Sequence, residues 1–442
     1  MTNKKRNTLA TSDPTEICAA LVGLKDIRVL RYSRCFVVAK LLIEQVVGDI
    51  HCPDCKVRAH IKDRPEVEYV DLPVYGAPMR LVWRKHRMRC PNGGCSKKSW
   101  VLGDHRIGAK NCFLTTRAAK WATRQVGEVG RTVHDVAKEL HCDWKVIDKT
   151  VTVYGAALLK ADTKRLKKTE SLGLDETQFT KTGPFKEKQW CTTVADVGNH
   201  QLIDILDSRN YVDVARWINA QPQSWKDNIK HGALDMSNTY AAVYSVTLPD
   251  AAQVVDPFHC IQLANRNLDA VRRRVQNEQL RQQPDTKRSA LPLHKIRKLL
   301  LMGLNKLDKG ATERLTALLS LGDPGAEVSI AHRAKEALRD FYEAAGYEAA
   351  KEQLQTLQEH CAAKSMPPEL QTFAKTLKKW FDKILEWHNA HISNGPTESL
   401  NNLIKRIKRI GFGFRNFQSY RIRCLLYAGK PNLRVLDSIV VT

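Results

Sequence analysis

The sequence predicts an α/β chain of several domains, and three observations carry that expectation. Two close cysteine pairs sit among strand-like segments before residue 100. Helical periodicity takes over near residue 115, and strand signals return near residue 171 before a long helical stretch. A chain of 442 residues has the length for about two to four domains. Its composition, 43% hydrophobic and 27% charged, is that of an ordinary soluble protein. The charge balance is not: 71 Lys and Arg against 47 Asp and Glu leave a formal charge of +24. So large an excess points to a polyanionic partner, nucleic acid first, with solubility alone as the competing explanation. No run approaches the roughly 18 apolar residues of a membrane span. Residues 1–11 are polar and basic with no apolar core after them, so no signal peptide is expected. A cytoplasmic chain with no membrane partner follows. In that compartment twelve cysteines are not a disulfide framework.

Residues 1–15 are expected to form a disordered basic leader. The next module, over 16–108, is organised by Cys52-Pro-Asp-Cys55 and Cys90-Pro-Asn-Gly-Gly-Cys95. Each pair sits at a tight turn, and thiolates are soft ligands suited to tetrahedral zinc, so the four cysteines predict a zinc ribbon. Coincidental reduced pairs are the competing explanation. Strand-like stretches around Val67–Leu72 and Met79–Trp83 would supply the ribbon's sheet, while His51, His86 and His105 are expected at the surface or facing DNA. Arg80, Arg84, Lys85, Arg87, Arg89, Lys97 and Lys98 make the module basic, as a DNA-contacting unit would be.

Over 109–168 the spacing predicts a helix-turn-helix DNA-binding domain. Val133, Val136, Ala137 and Leu140 share one helical face, and Val146, Ile147, Thr150 and Val151 share another after a short turn. Asp143 would cap the second helix, leaving Trp144, Lys145 and Lys149 outward as DNA contacts. A plain helical hairpin would show the same pattern. The basic run 160–168 is expected to be a linker.

From 169 to 260 the order is β-β-β-α-β-α-β, that of the first part of an RNase H-like catalytic core. The first strand, 171–177, reads as short and buried with Asp175 at its end; a later one ends in Asp235. In an RNase H-like topology the first and fourth strands are neighbours, which would make Asp175 and Asp235 adjacent. Val212, Ala215, Trp217 and Ile218 would face inward from the intervening helix. Asp256-Pro-Phe-His259 closes the fifth strand. His259 could contact a scissile phosphate or orient water; alternatively, Asp256 caps the next helix and His259 packs. Residues 261–390 are expected to be an all-α insertion, with a polar mobile loop at 276–289 and core stripes at Ile330, Ala334, Ala337, Leu338 and Phe341 and at Phe373, Leu377, Trp380, Phe381 and Ile384.

The last segment, 391–442, is expected to hold a catalytic helix and a basic tail. Pro396 suits a helix start, and Glu398, Asn402 and Lys405 share a face at i, i+4, i+7 spacing. Three carboxylates from separate elements, Asp175, Asp235 and Glu398, could hold the two divalent cations that in-line phosphoryl transfer requires. Lys405, Arg406, Lys408, Arg409 and Arg415, interleaved with Phe412, Phe414 and Phe417, resemble phosphate- and base-contacting segments; a solvated basic face is the alternative.

Assembled, these residues resemble the DDE transposases of the ISL3 insertion-sequence family over nearly the whole chain. The carriers are the four-cysteine ribbon, the helix pair, Gly173-Leu-Asp175-Glu, Asp235-Met-Ser, Asp256-Pro-Phe-His259, Asn394-Gly-Pro-Thr-Glu398-Ser-Leu-Asn-Asn-Leu-Ile-Lys and Gly413-Phe-Arg-Asn-Phe417. The resemblance implies a catalytic triad of Asp175, Asp235 and Glu398 with two Mg²⁺ ions, for which Mn²⁺ can substitute, beside a structural Zn²⁺. It implies double-stranded DNA as partner, both terminal inverted repeats and target, and action as a homodimer or higher oligomer at the nucleoid. His259 matches an acid-x-x-His element seen after the second aspartate in several such families. Two rival functions fit the same residues. One is a DNA-binding regulator without chemistry; the other is an RNase H-like nuclease without strand transfer.

Overall fold

A computed structural model describes residues 16, 22–24, 26–35, 37–74, 76–109 and 111–441; the leader expected over 1–15 lies outside them. The chain divides into two compact units, one of residues 1–165 with 403–442 and one of residues 166–402.

The first unit opens with strands β1 (Ile27–Cys35), β2 (Val38–Gln45), β3 (His60–Asp63), β4 (Glu66–Val74), β5 (Ala77–Arg84), β6 (Arg87–Arg89) and β7 (Ser99–Val101). They form two sheets, β1-β2-β5-β4 and β3-β6-β7. The alternation in β5 is that of a half-buried strand: Met79, Leu81 and Trp83 point into a core with Leu41 and Ile43. The strand-like segments noted between the cysteine pairs thus belong to the larger sheet, and the cysteine turns to the smaller one. His86 departs from expectation. It is 4% exposed, with Nε2 2.8 Å from Glu44 Oε1, whereas His51 and His105 are exposed. Its partner lies 42 residues away, so no local pattern announced the burial.

Three helices follow: α1 (Thr116–Gly127), α2 (Val133–Glu139) and α3 (Trp144–Ala161). Each is capped by a side-chain oxygen, from Thr115, Thr132 and Asp143. Val133, Val136, Ala137, Leu140, Ile147, Thr150 and Val151 are buried as their spacing requires, and Val146 is half-buried. Helix α3 runs to Ala161, so the start of the expected linker is helical.

The second unit contains β8 (Ser171–Thr182), β9 (Glu187–Asp196), β10 (Gln201–Leu206), α4 (Tyr211–Asn219), β11 (His231–Leu234), α5 (Asn238–Thr247) and β12 (Ala252–Val255). The sheet order is β10-β9-β8-β11-β12, with β8, β11 and β12 mutually parallel and β9 antiparallel to both neighbours. Helices α6 (Pro257–Gln282), α7 (Lys309–Gly322), α8 (Glu327–Tyr342), α9 (Tyr347–Ala362) and α10 (Pro368–Leu385) come next, then α11 (Gly395–Ile410) and α12 (Phe417–Ala428). Residues 395–402 of α11 belong to the second unit; the rest of α11 and α12 return to the first.

Three expectations are corrected here. Strand β8 does not stop at Thr177 but continues to Thr182 as a hairpin with β9, so Asp175 lies within the strand. On α4 it is Val214, with Ala215 and Ile218, that is buried, and Val212 is exposed. The polar stretch 276–289 is helical as far as Gln282, because Leu268, Val271 and Val275 continue α6's buried stripe and Arg274 is anchored between Glu327 and Glu369 at 2.5 and 2.9 Å. Of the two core stripes, Ala334, Leu338, Phe341, Phe373, Leu377, Trp380 and Ile384 are buried, while Ile330, Ala337 and Phe381 are half-buried against the same core.

In the first unit α12 closes onto α1 and α3. A Cβ on Gly155 would lie 2.6 Å from Ile422 Cγ2, and one on Gly127 would lie 2.9 Å from Leu426 Cβ. Only glycine permits helices this close at those points.

Candidate active site

The site is set by strand register. Leu174 on β8 pairs with Leu234 on β11, and Leu234 pairs with Val255 on β12. All three side chains are buried. The next residue in each case is an aspartate: Asp175 within β8, and Asp235 and Asp256 just past the ends of β11 and β12. Adjacent strands are about 4.8 Å apart, so three carboxyl groups stand in one row along the carboxyl ends of the parallel strands. The apolar residue before each acid fixes the strand in the core and thereby the position of its carboxylate. Tyr244 ties the first two strands together from below, its hydroxyl donating to the carbonyl of Leu172 at 2.7 Å and to that of Ala233 at 3.3 Å.

The N-terminal end of α11 lies over this row. Gly173 lets it approach, since a Cβ there would come within 2.2 Å of Thr397 Oγ1. Asn394 donates from its backbone N to Asp256 Oδ2 at 2.8 Å and from Nδ2 to Asp235 Oδ1 at 3.0 Å. Asn401, 3% exposed, donates from Nδ2 to Asp175 Oδ2 at 2.5 Å. Its Oδ1 accepts from the buried Thr193 hydroxyl at 2.7 Å, which fixes which way the amide faces. Glu398 stands one turn before Asn401 with its side chain exposed. The amide that serves the site is therefore Asn401; Asn402, expected there from spacing, is exposed, and Lys405 falls in the other unit.

The three aspartates are not equivalent. Asp256 caps α6 by accepting from Phe258 N at 2.7 Å, and its other oxygen serves Asn394, so both are engaged structurally. That matches the capping alternative for Asp256. His259 does more than pack: its Nε2 is 3.0 Å from Asp235 Oδ1. With Asn394 on the same atom, Asp235 Oδ1 is doubly engaged and Oδ2 is the atom left to a ligand. Burial pushes the Asp175 carboxyl up to about 6, with the nearby Asp235 charge adding to the shift. Burial likewise raises Asp235 and Asp256, and Glu398 contributes repulsion to both. Crowded acids raised by burial, with mutual repulsion added, are the electrostatic condition that a cation relieves. Asp235, Asp256 and His259 offer ligand atoms within 4.8 Å of one another, a trio that differs from the expected triad in which Asp175 and Glu398 accompany Asp235. Asn394, Asn401 and Thr193 were missed by sequence reasoning, although both asparagines stand in the Asn394–Asn402 motif.

The cysteine cluster in the first unit is built by two turns. Lys56 N donates to Cys52 O at 3.0 Å with Lys56 in the left-handed region, and Cys95 N donates to Asn92 O at 3.1 Å. Sγ of Cys52 and Cys95 are 3.8 Å apart, those of Cys55 and Cys90 3.5 Å, and all four sulfurs lie within 4.8 Å of one another. Four thiolates about 2.3 Å from a central ion have tetrahedral edges of about 3.8 Å, so the cluster fits a structural zinc. Of the expected DNA contacts, Trp144, Lys145 and Lys149 are exposed on α3, and Lys405, Arg406, Arg409 and Arg415 are exposed on α11 and beyond, with Lys408 half-buried.

A family model described as a transposase, DDE_Tnp_ISL3, matches residues 172–424, more than half of the chain and the whole of the aspartate row. The chain belongs to the ISL3 family of transposases. A second model, described as the zinc-finger of transposase IS204/IS1001/IS1096/IS1165, matches residues 49–95 and so spans the four cysteines of this ISL3-family chain. The transposase for insertion sequence element IS1001 of Bordetella parapertussis is 25% identical over 378 residues, 84% of this chain and 87% of its own. That for IS1557 of Mycobacterium tuberculosis is 25% identical over 353 residues, 75% of each chain. A solved structure, the Drosophila P element transposase strand transfer complex, covers 73% of this chain and 94% of its own at 9% identity and a TM-score of 0.37, too distant a likeness to argue from. Among the described residues no helix is long and apolar enough to cross a membrane.

Proposed function

We propose that this ISL3-family chain is a DDE transposase that binds the terminal inverted repeats of its insertion sequence, cleaves DNA at their ends and joins the freed ends to target DNA. The observation that carries this is the register that sets Asp175 and Asp235 side by side beneath the helix bearing Glu398. The strand order supports an RNase H-like core, with the helical stretch from α6 to α10 as its insertion. Helices α2 and α3, the four-residue turn between them and the Asp143 cap support a helix-turn-helix.

Asp175, Asp235 and Glu398 would hold magnesium, and their all-oxygen donor set suits that hard cation. Two such ions would supply charge neutralisation at the phosphoryl group and acidity to the attacking hydroxyl. Asn401 and Thr193 hold Asp175 in one orientation, and Asn394 and His259 do the same for Asp235. In the first step water bonds to phosphorus as the P–O3′ bond breaks, leaving a 3′-OH on the element. In the second that hydroxyl attacks a target phosphorus and displaces the target's own 3′-oxygen, with no bond to protein at either stage. The zinc ribbon, Trp144, Lys145 and Lys149 would read the repeats, since an active site that touches mainly backbone needs separate readers. The chain would work as a homodimer or larger assembly on DNA in the cytoplasm, at the nucleoid.

Asp175→Ala, Asp235→Ala and Glu398→Ala are each expected to abolish Mg²⁺-dependent nicking of DNA carrying the element end, while gel-shift binding to that DNA persists. Nicking by Asp175→Ala at the wild-type rate would refute the assignment.

A further inference from the structure

One projection of the second unit has no part in the chemistry above. Strand β11 accompanies β8 only as far as Leu174, and β10 accompanies β9 only as far as Thr192. Beyond those points β8 and β9 run on alone: Thr177 pairs with Cys191, Gln178 with Trp190, Lys181 with Lys188 and Thr182 with Glu187. Because β8 runs on past Asp175 at the carboxyl edge, this two-stranded arm, whose register shifts between Gln178 and Thr180, starts on the side of the sheet from which a substrate must reach the aspartates. Thr182 is seven residues beyond Asp175, which at about 3.3 Å per residue is a reach of at most about 23 Å. That is about seven base-pair steps of duplex DNA.

The arm's chemistry changes along its length. Thr177 and Phe179 are buried at its base. Trp190 comes next, half-buried, with Arg209 and Lys188 over its ring at 5.5 and 5.9 Å. At the tip Gly183 and Lys186 take left-handed backbone conformations and present Phe185 to solvent, 88% exposed. Lys181, Lys186 and Lys188 are exposed around it, and Glu187 is the only acid between 177 and 190, so three cations against one anion leave +2. A lone exposed aromatic is unremarkable. One ringed by lysines, on a projection that begins at the catalytic edge, matches the two things DNA offers: phosphates and base faces.

We propose that the β8–β9 arm is a DNA-contacting element that grips the duplex within about seven base pairs of the scissile phosphate, its lysines on backbone phosphates and Phe185 against the bases. The proposal rests on the transposase assignment above, because that assignment puts DNA at Asp175.

The test uses the full-length chain with a photoreactive benzoylphenylalanine replacing Phe185, bound to labelled DNA carrying the element end and its flank. The expected result is a protein–DNA adduct within about seven base pairs of the cleavage position. Adducts only with a second copy of the chain, or none from a complex that is intact by gel shift, would overturn the arm's role. In parallel, a Lys181→Ala, Lys186→Ala, Lys188→Ala variant is expected to lower the slope of log affinity against log salt by about 2–3. Phe185→Ala is expected to slow end cleavage about tenfold. Wild-type slope and rate in these variants, with Asp175→Ala still inactive, would sink the arm and leave the active site standing. Cleavage by Asp175→Ala would sink the active-site assignment instead.

Discussion

At the scale of single residues, the site is governed by what holds each acid rather than by the acids alone. Thr193 donates to Asn401, and Asn401 donates to Asp175. Were the amide to flip, its oxygen would face a carboxylate, so the threonine hydroxyl acts on Asp175 through an intermediary. Asn401→Ala is expected to lower the cleavage rate about 10- to 100-fold with end binding retained. Thr193→Val should lose part of that rate, Thr193→Ser should restore it, and the Thr193→Val/Asn401→Ala double variant should be no worse than Asn401→Ala alone; purely additive losses would refute the relay. A pH prediction follows from the raised Asp175 carboxyl, at about 6 against 3.8. Between those values the folded state binds more protons than the unfolded one, so stability falls as pH rises through that window. In the absence of divalent cation, Asp175→Asn should therefore stabilise the protein at pH 8 by up to about 3 kcal/mol. The gain should vanish below about pH 4, readable from urea unfolding at the two pH values. The sequence made Asp175 and Asp235 legible because each follows a buried apolar pair in its strand. It could not separate Asn401 from Asn402, since adjacent amides differ only in helix phase and the choice depends on Thr193, more than two hundred residues earlier.

At the scale of elements, local pattern located helices and strands well and their ends poorly. The stripe on α3 and the cap at Asp143 are properties of neighbouring residues, and both stand where spacing put them. Strand β8 overran its expected end because hairpin pairing with β9, rather than its own hydrophobic run, carries it from Thr177 to Thr182. Helix α6 likewise outlasts its apolar stripe, which ends at Val275, and beyond it Gln279 Nε2 donates to the carbonyl of Gly322 at 2.7 Å. The cysteine turns are the opposite case, wholly readable in sequence because a metal's ligands must sit at fixed spacing. Purified protein is expected to carry one zinc per chain. Chelation, or Cys52→Ser with Cys95→Ser, should abolish end binding while the unfolding transition of the second unit stays in place, as followed by hydrogen exchange at β8 and β11. Exchange that rises equally in both units would contradict a zinc confined to the first.

At the scale of the molecule, the first unit is discontinuous, which no local pattern announces. Its helices α1 and α3 are completed by α12, whose Ile422 and Leu426 fill the space that Gly127 and Gly155 leave open. Asp162 accepts from Asn432 N at 2.7 Å, and Arg124 meets Asp437 at 2.7 Å, so the closing segment is fastened along its length. A fragment of residues 1–165 should accordingly unfold at a lower temperature than the same fragment fused to residues 403–442. An equal or higher melting temperature for the shorter piece would show the closure to be incidental. The return of the chain also sets an order in time. A nascent polypeptide cannot complete its first unit until residues 403–442 have left the ribosome. On the proposed function, products that stop short of residue 403 would lack an intact reader and would not compete with longer copies for the element's ends.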